Sequence, residues 1–339
     1  MRHESEDVVT GRVAQRHRSR GVELRWSLDL ISDRRARPLH SRLRAGSDLS
    51  QPPTAGALLI MFHFAYDGSI NGDWVSHYAI RLASHCADRT LRLIHVQDGK
   101  TAAGNLEAKL QRMRLECERA GVLIDVHIEP VSRNVLESID SLVLPGPEHH
   151  LVCGTRVRPR KRAMLSGTIS EQLLRAGRCN VLALHVVQPG LLGLPRSLLL
   201  PVSGHPRGFR SGIPFLKLFA PDMARMHILF VEQVARGRFR LLSHQAAERL
   251  TRRGRAYTER IEHEISEQLG LGPSVADANV AVSDDVPKEI IIFANRVKSR
   301  LIYMGASERS LGERFFYGSP IEQVLRDTTC DVAIYRGVE

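Results

Sequence analysis

The sequence predicts an α/β protein built from two tandem domains of the same kind, and three observations predict it. The first is an internal repeat. Glu171-Gln172-Leu173-Leu174-Arg175, then Cys179-Asn180-Val181, returns as Glu322-Gln323-Val324-Leu325-Arg326, then Cys330-Asp331-Val332, each pair 151 positions apart. The same offset carries Gly154 onto Gly305 and Gly167 onto Gly318, and a fixed offset over about thirty positions marks a duplicated structural unit. The second is an alternation of short apolar runs with amphipathic stretches, which implies parallel strands joined by right-handed helical crossovers. The third is length. A chain of 339 residues divides into two units of roughly 140 residues, each able to hide about two thirds of its unfolded surface.

The elements follow in order. Residues 58–65 are a continuous apolar run, as expected for a strand buried on both faces. Asp67-Gly68-Ser69 breaks it, and Trp74, Tyr78 and Leu82 then recur every four positions with Val75 and Ala79 beside them, the stripe of an amphipathic helix. Further strands are expected at 91–96, 122–128, 150–153 and 181–186, with helices at 106–120, 134–143 and 167–176. The second copy repeats the order with strands at 198–202, 226–231, 275–282, 301–304 and 332–335, and its longest helix at about 241–269. Four segments are therefore expected: an extension 1–54, a first domain 55–188, a linker 189–196 carrying Pro189, Gly190, Gly193 and Pro195, and a second domain 197–339.

Residues 1–54 hold eleven arginines, no lysine and seven acids, lack sustained periodicity, and end in a breaker run with Pro52-Pro53. They are expected to be disordered or loosely attached; a start codon assigned too far upstream would read the same way. The net charge of +11 suits a solvated face or an anion-facing loop, and aromatic residues are only 5% of the chain, too few for a stacking platform, so nucleic acid is not the expected partner. Five cysteines, an odd number without a CxxC pair, suit free thiols in a reducing compartment. No 18-residue apolar run spans a membrane and no leader-like segment opens the chain, so the expected location is the cytoplasm.

The candidate site is the loop after the fourth strand of each copy. It runs Gly154-Thr155-Arg156-Val157, nine residues, Gly167-Thr168 in the first, and Gly305-Ala306-Ser307-Glu308, nine residues, Gly318-Ser319 in the second. A glycine directly after a strand lets a ligand approach the backbone. A Gly-Thr or Gly-Ser step that opens a helix presents free N–H groups and a hydroxyl, which suit a phosphate; the plainer reading is a helix cap.

With these loops the chain resembles the universal stress protein family in tandem form. Nucleotide-binding members of that family carry Gly-x2-Gly-x9-Gly followed by Ser or Thr after the fourth strand. Gly318-Ser319-Pro320-Ile321-Glu322 and Asp67-Gly68-Ser69 also look like the family. The resemblance covers about 57–187 and 196–337. It implies doubly wound, Rossmann-like domains, each a five-stranded parallel sheet in order 3-2-1-4-5 with a crevice where the order reverses. It also implies ATP or another adenine nucleotide as ligand, with Mg2+ as its companion ion. Carried over, the binding positions are Asp67, Val96, Gly154, Arg156, Gly167 and Thr168 in the first half, and Val231, Gly305, Ser307, Gly318 and Ser319 in the second. In the implied order each last strand is an apolar edge, so the halves are expected to pair there as a pseudo-dimer.

The motif's second glycine is Val157 in one copy and Glu308 in the other, and Ser203 stands where the first copy has Asp67. The first pocket, with Arg156, Arg158, Arg160, Lys161 and Arg162 in its loop, is expected to be the stronger. No HExxH, zinc-ligand spacing, Gly-x-Ser-x-Gly elbow or Walker loop occurs. His149-His150 reads as strand-edge packing, and Cys179 and Cys330 as small apolar packing groups. The expected function is that of a non-enzymatic, nucleotide-responsive stress or regulatory protein. The alternative is an interaction module that no longer binds nucleotide and acts by homodimerising or by docking a protein partner.

Overall fold

In the computed structural model, which describes residues 60–99, 102–155, 167–205, 208–306 and 320–338, strand and helix alternate throughout. The first half contains β1 (Met61–Ala65), α1 (Ile70–Ala83), β2 (Thr90–Gln97), α2 (Ala103–Ala120), β3 (Leu123–Pro130), α3 (Val135–Leu142), β4 (Gly146–Gly154), α4 (Ile169–Ala176) and β5 (Cys179–His185). The second contains β6 (Ser197–Val202), α5 (Ile213–Phe219), β7 (Arg225–Gln233), α6 (Arg236–Phe239), α7 (His244–Leu269), β8 (Ala276–Ser283), α8 (Val286–Arg296), β9 (Leu301–Gly305), α9 (Pro320–Asp327) and β10 (Asp331–Arg336). The extension 1–54 lies outside the described residues.

All ten strands form one sheet, in the order β3-β2-β1-β4-β5-β10-β9-β6-β7-β8. Each half is a parallel sheet in order 3-2-1-4-5, as expected, and the two meet through β5 and β10, which pair antiparallel. In that ladder Ala183 lies opposite Ile334, its own equivalent at the 151-residue offset, so the pseudo-two-fold axis passes through this pair. Joining the two inner edges removes both from solvent and leaves β3 and β8 as the outer edges.

Alternation along each strand sorts the core into two layers. Phe62 and Phe64 of β1 face α1 and α2, and the same layer continues through Phe215 of α5 and Ile261 and Ile265 of α7. The opposite layer holds Ile139 of α3, Leu174 of α4, Phe293 of α8 and Val324 of α9. Helix starts are set by local chemistry: Ser69, Asn134, Thr168, Ser243 and Asp285 each accept a backbone N–H of the first helical turn.

Residues 189–196, read as a linker, pack against α1. Gly193 has φ +72°, and a Cβ there would lie 2.5 Å from the carbonyl carbon of His77; only glycine fits between the two backbones. His149 and His150 differ from expectation. Because β4 begins at Gly146 and lies between β1 and β5, both rings are interior. His149 stacks on His63 on one face of the sheet, and His150 meets Phe215 edge-on across the other.

Candidate functional site

At the carboxyl end of β1 the chain turns through Gly68 at φ +71° into α1. Asp67 is exposed there, and its carboxylate accepts from Ser69 N–H (3.0 Å) and Ser69 Oγ (2.6 Å). Gly154 ends β4 on the other side of the strand-order reversal. A Cβ on Gly72 would sit 2.6 Å from Asp67 Oδ1, and one on Gly154 would sit 2.7 Å from Asn71 Nδ2, so Asp67 and Gly154 converge on the first turn of α1. Asn71 spans the crevice by donating to Thr155 O at 3.2 Å. A network that no sequence pattern announces holds the turn. Tyr66 donates to Asp73 at 2.5 Å, and Lys109 donates to both Asp73 and Gly68 O at 2.7 Å. Burial first, then Asp73, pushes the Tyr66 phenol up, so it stays a neutral donor.

Val96 lies in the buried end of β2, 7% exposed, and forms wall rather than polar contact. At α4 the cap is as expected, with Thr168 Oγ1 accepting from Glu171 N–H at 3.2 Å. The Gly167 N–H, one residue before the Thr168 cap, however donates to Glu171 Oε2 at 2.6 Å, a back-bond like that of a capping box but shifted by one residue. Glu171 is 3% exposed and is neutralised by Arg175 at 3.1 Å. The amide expected to face a phosphate thus holds one of the chain's own carboxylates. Arg156 and Val157 lie outside the described residues, as do Ser307, Glu308, Gly318 and Ser319.

The second half keeps the turn but changes the crevice. Gly204 has φ +79°, matching Gly68, with Ser203 in place of the acid. The β1–β4 ladder runs over five residues, whereas β6 meets β9 only at Leu198 and Leu199; Pro201 follows with no N–H to donate. Tyr335 fills the opening. It stacks on Tyr303 at 4.3 Å, and a Cβ on Gly305 would lie 3.0 Å from the Tyr335 hydroxyl. Its equivalent in the first half is Leu184. The two loops otherwise superpose in their bonding: Thr155 N–H donates to Leu184 O at 2.7 Å and Ala306 N–H to Tyr335 O at 2.8 Å. Val231 is buried in β7 as Val96 is in β2.

A separate polar cleft lies on the α3 face. It has a volume of about 300 Å3 and is lined by His63, Arg92, Ile94, Asp125, His127 and Leu142. His63 Nε2 lies 3.2 Å from His149 Nδ1, and His149 Nε2 lies 3.5 Å from Glu148 Oε1. The carboxylate favours a proton on His149 Nε2, so His63 donates to His149 and keeps Nδ1 as a bare acceptor. That nitrogen is buried without a partner among the described residues, a defect worth about 1–3 kcal/mol. Burial, then His149 and Arg92, lowers the His63 pKa to about 4.

Among the described residues no group of three or more His, Cys, Asp and Glu side chains is arranged to hold a metal ion, and no helix is long and apolar enough to cross a membrane. All five cysteines are free and buried, and burial pushes the Cys179 thiol up to about 12, as packing groups require.

The model of the Universal stress protein family matches residues 228–336. No curated protein sequence matches the chain. Among solved structures, a universal stress protein from Archaeoglobus fulgidus DSM 4304 aligns with a TM-score of 0.53 and 16% identity, covering 81% of this chain and 96% of that one. A putative universal stress protein from Pseudomonas aeruginosa UCBPP-PA14 aligns at 0.51 and 15%, covering 82% and 94%. The cytoplasmic domain of a prokaryotic cation chloride cotransporter reaches 0.51 at 11% identity, covering 82% and 96%. The family match lies within the second half, at residues 228–336, and the first half repeats the strand order of the second, so both halves have the fold of these universal stress protein structures.

Proposed function

We propose that the chain is a non-enzymatic regulatory protein that binds an adenine nucleotide in its first half only. The observation that supports this is the convergence of Asp67 and Gly154 on the first turn of α1, at the point where the strand order reverses. Asp67 is an exposed acceptor for a ribose or adenine donor, and Gly154 presents backbone without a side chain. The phosphates fall to Thr168 and to the basic loop that contains Arg156; Mg2+ would be held by the phosphates, with Asp67 the nearby carboxylate. Among the described residues no acid–base pair is poised in this crevice, which favours binding over turnover. The five free, buried thiols favour a reducing compartment such as the cytoplasm.

The test is mass spectrometry of small molecules carried by the full chain when it is purified without added nucleotide, followed by calorimetric titration with ATP and AMP. Asp67→Ala should weaken binding about tenfold or more, the loss of one charge-assisted hydrogen bond. A second reading, an interaction module without nucleotide, is favoured by the Glu171 carboxylate on the Gly167 amide and by Tyr335 in the second crevice. It wins if neither nucleotide binds the full chain.

A further inference from the structure

The two halves provide an internal control for the cleft on the α3 face. Register makes the correspondences unambiguous. His63 pairs with Arg92, and Arg92 with Asp125; in the second half Leu199 pairs with His227, and His227 with Asp277. Leu142 and Phe293 correspond at the 151-residue offset, on helices that begin at Val135 and Val286 with the same offset. Four equivalent positions therefore carry His63, Arg92, Asp125 and Leu142 in one half and Leu199, His227, Asp277 and Phe293 in the other.

The second half closes this place. Leu199 is fully buried, and His227 contacts Asp277 at 2.6 Å, close but poorly aligned for a hydrogen bond. The Phe293 ring meets His227 edge-on at 6.3 Å, and Arg296 covers that ring at 4.5 Å. The first half leaves the place open and polar. Asp125 pairs with His127 at 2.9 Å, and among the described residues the half-buried Arg92 has no carboxylate within ion-pair distance. Among the described residues its guanidinium meets the weak acceptor Met61 Sδ, at 3.1 Å. The helix α3 has eight residues and lines the cleft only through Leu142.

We propose that this cleft binds a small carboxylate that also carries a hydroxyl or amino donor. The carboxylate pairs with Arg92, which lacks an acid of its own, in the two-pronged geometry that a guanidinium favours. The donor goes to Asp125, and the carbon skeleton lies on Ile94 and Leu142. His63 forms the polar back wall, and a donor that reaches its orphaned Nδ1 ends that deficit. The charges select the class. One guanidinium and one carboxylate nearly cancel, so a monoanion with a donor or a zwitterion fits better than a dianion such as phosphate, which Asp125 repels. Arg92 and Asp125 stand third from the start of their strands, away from the carboxyl ends that form the nucleotide crevice. The proposal is therefore independent of nucleotide binding.

The experiment is calorimetric titration of the full chain with glycolate, L-lactate, glycine and L-serine. Acetate and ethylene glycol, each lacking one of the two groups, and inorganic phosphate serve as comparisons. Saturable binding of at least one two-group probe is expected, at least about tenfold tighter than acetate. Arg92→Gln should weaken it about tenfold or more. Leu142→Phe, which installs the ring of the second half, should abolish it while circular dichroism shows a folded chain. The proposal is overturned if no two-group probe binds, if acetate or phosphate binds as tightly, or if Leu142→Phe leaves binding unchanged.

Discussion

Tyr78 donates its hydroxyl to Asp331 Oδ2 at 2.6 Å, tying α1 of the first half to the start of β10 in the second. The other oxygen, Oδ1, accepts from Val187 N–H and Gln188 N–H at 2.7 Å each. The 151-residue equivalent of Asp331 is Asn180, whose Oδ1 accepts from Val338 N–H at 3.1 Å, and Val338 is the equivalent of Val187. The join thus carries the same side-chain-to-backbone clasp twice, once with a carboxylate and once with an amide, as an isologous interface would.

Asp331→Ala should destabilise the chain by about 2–3 kcal/mol, because it orphans the buried Tyr78 hydroxyl and two part-buried backbone N–H groups at once. Asp331→Asn should cost less, about 1 kcal/mol, since Oδ1 still accepts both amides and Nδ2 can donate to the Tyr78 oxygen, although the phenol proton loses its acceptor. Burial raises the Asp331 pKa against the opposing pull of its hydrogen bonds. A raised folded pKa makes its contribution largest below the unfolded value and removes it as pH rises through the folded value. The Asn variant should lose this acid-side gain. Urea denaturation across pH checks all three statements, and equal costs for Ala and Asn would rule out the clasp.

Much of this architecture was legible in the sequence. The 151-residue offset, the apolar runs and Asp67-Gly68 identified the halves, most strand positions and the crevice, because strand burial and tight turns leave period and glycine signals. What was not legible depends on side chains that cross between elements. Nothing in Cys330-Asp331-Val332 says that Asp331 reaches back to Tyr78, and nothing in the spacing around Gly305 says that Tyr335 covers it. The motif points Gly167 toward phosphate and the Gly-Thr step toward a helix cap, but neither says that the Glu171 carboxylate reaches back past Thr168 to take the Gly167 amide. The open cleft beside His63 emerges only when strand register places Arg92 beside it.

Two glycine substitutions should behave differently. In Gly193→Ala the new methyl meets the His77 backbone at 2.5–2.6 Å, with φ +72°. Backbone cannot yield cheaply, so a loss of about 2 kcal/mol or more is expected. In Gly154→Ala the nearest atom is Asn71 Nδ2 at 2.7 Å, the end of a side chain that can swing away from Thr155 O. That loss should be about 1 kcal/mol, with any nucleotide affinity falling further than stability does. Thermal denaturation ranks the two, and a Gly193→Ala variant as stable as the parent would contradict the packing of this segment on α1.

Acid should unfold the chain earlier than its carboxylates alone require. His63 and His150 both have pKa values lowered from 6.5 to about 4, in each case chiefly by burial. The sign follows directly: a lowered folded pKa gives stability that is present above the unfolded value and lost as pH falls toward the folded one. Stability should therefore decline between about pH 6.5 and 4, by on the order of 3 kcal/mol for either group alone. The two together give less than twice that, because His150 is itself part of what lowers His63. His150→Gln should flatten the profile, opposite in sense to Asp331→Asn. A profile flat from pH 7 to 4 in the parent chain would refute the neutral, buried state of these rings.

The asymmetry between the crevices leads to a stoichiometry. Asp67 offers a charged acceptor where the second half has Ser203, and the Tyr335 ring lies against Gly305 where the first half has Leu184. Titration of the full chain with ATP should give one site, and Asp67→Ala should weaken it without altering the fold. Ser203→Asp alone should not create a second site, because the ring still closes the approach to the Gly305 backbone. Ser203→Asp combined with Tyr335→Leu should, at a stability cost of about 1–3 kcal/mol for the lost ring. Two sites in the parent chain would mean that Tyr335 does not close the crevice. A double variant that stays folded and still binds one nucleotide would mean that the masking ring and the missing acid are not what separates the two halves.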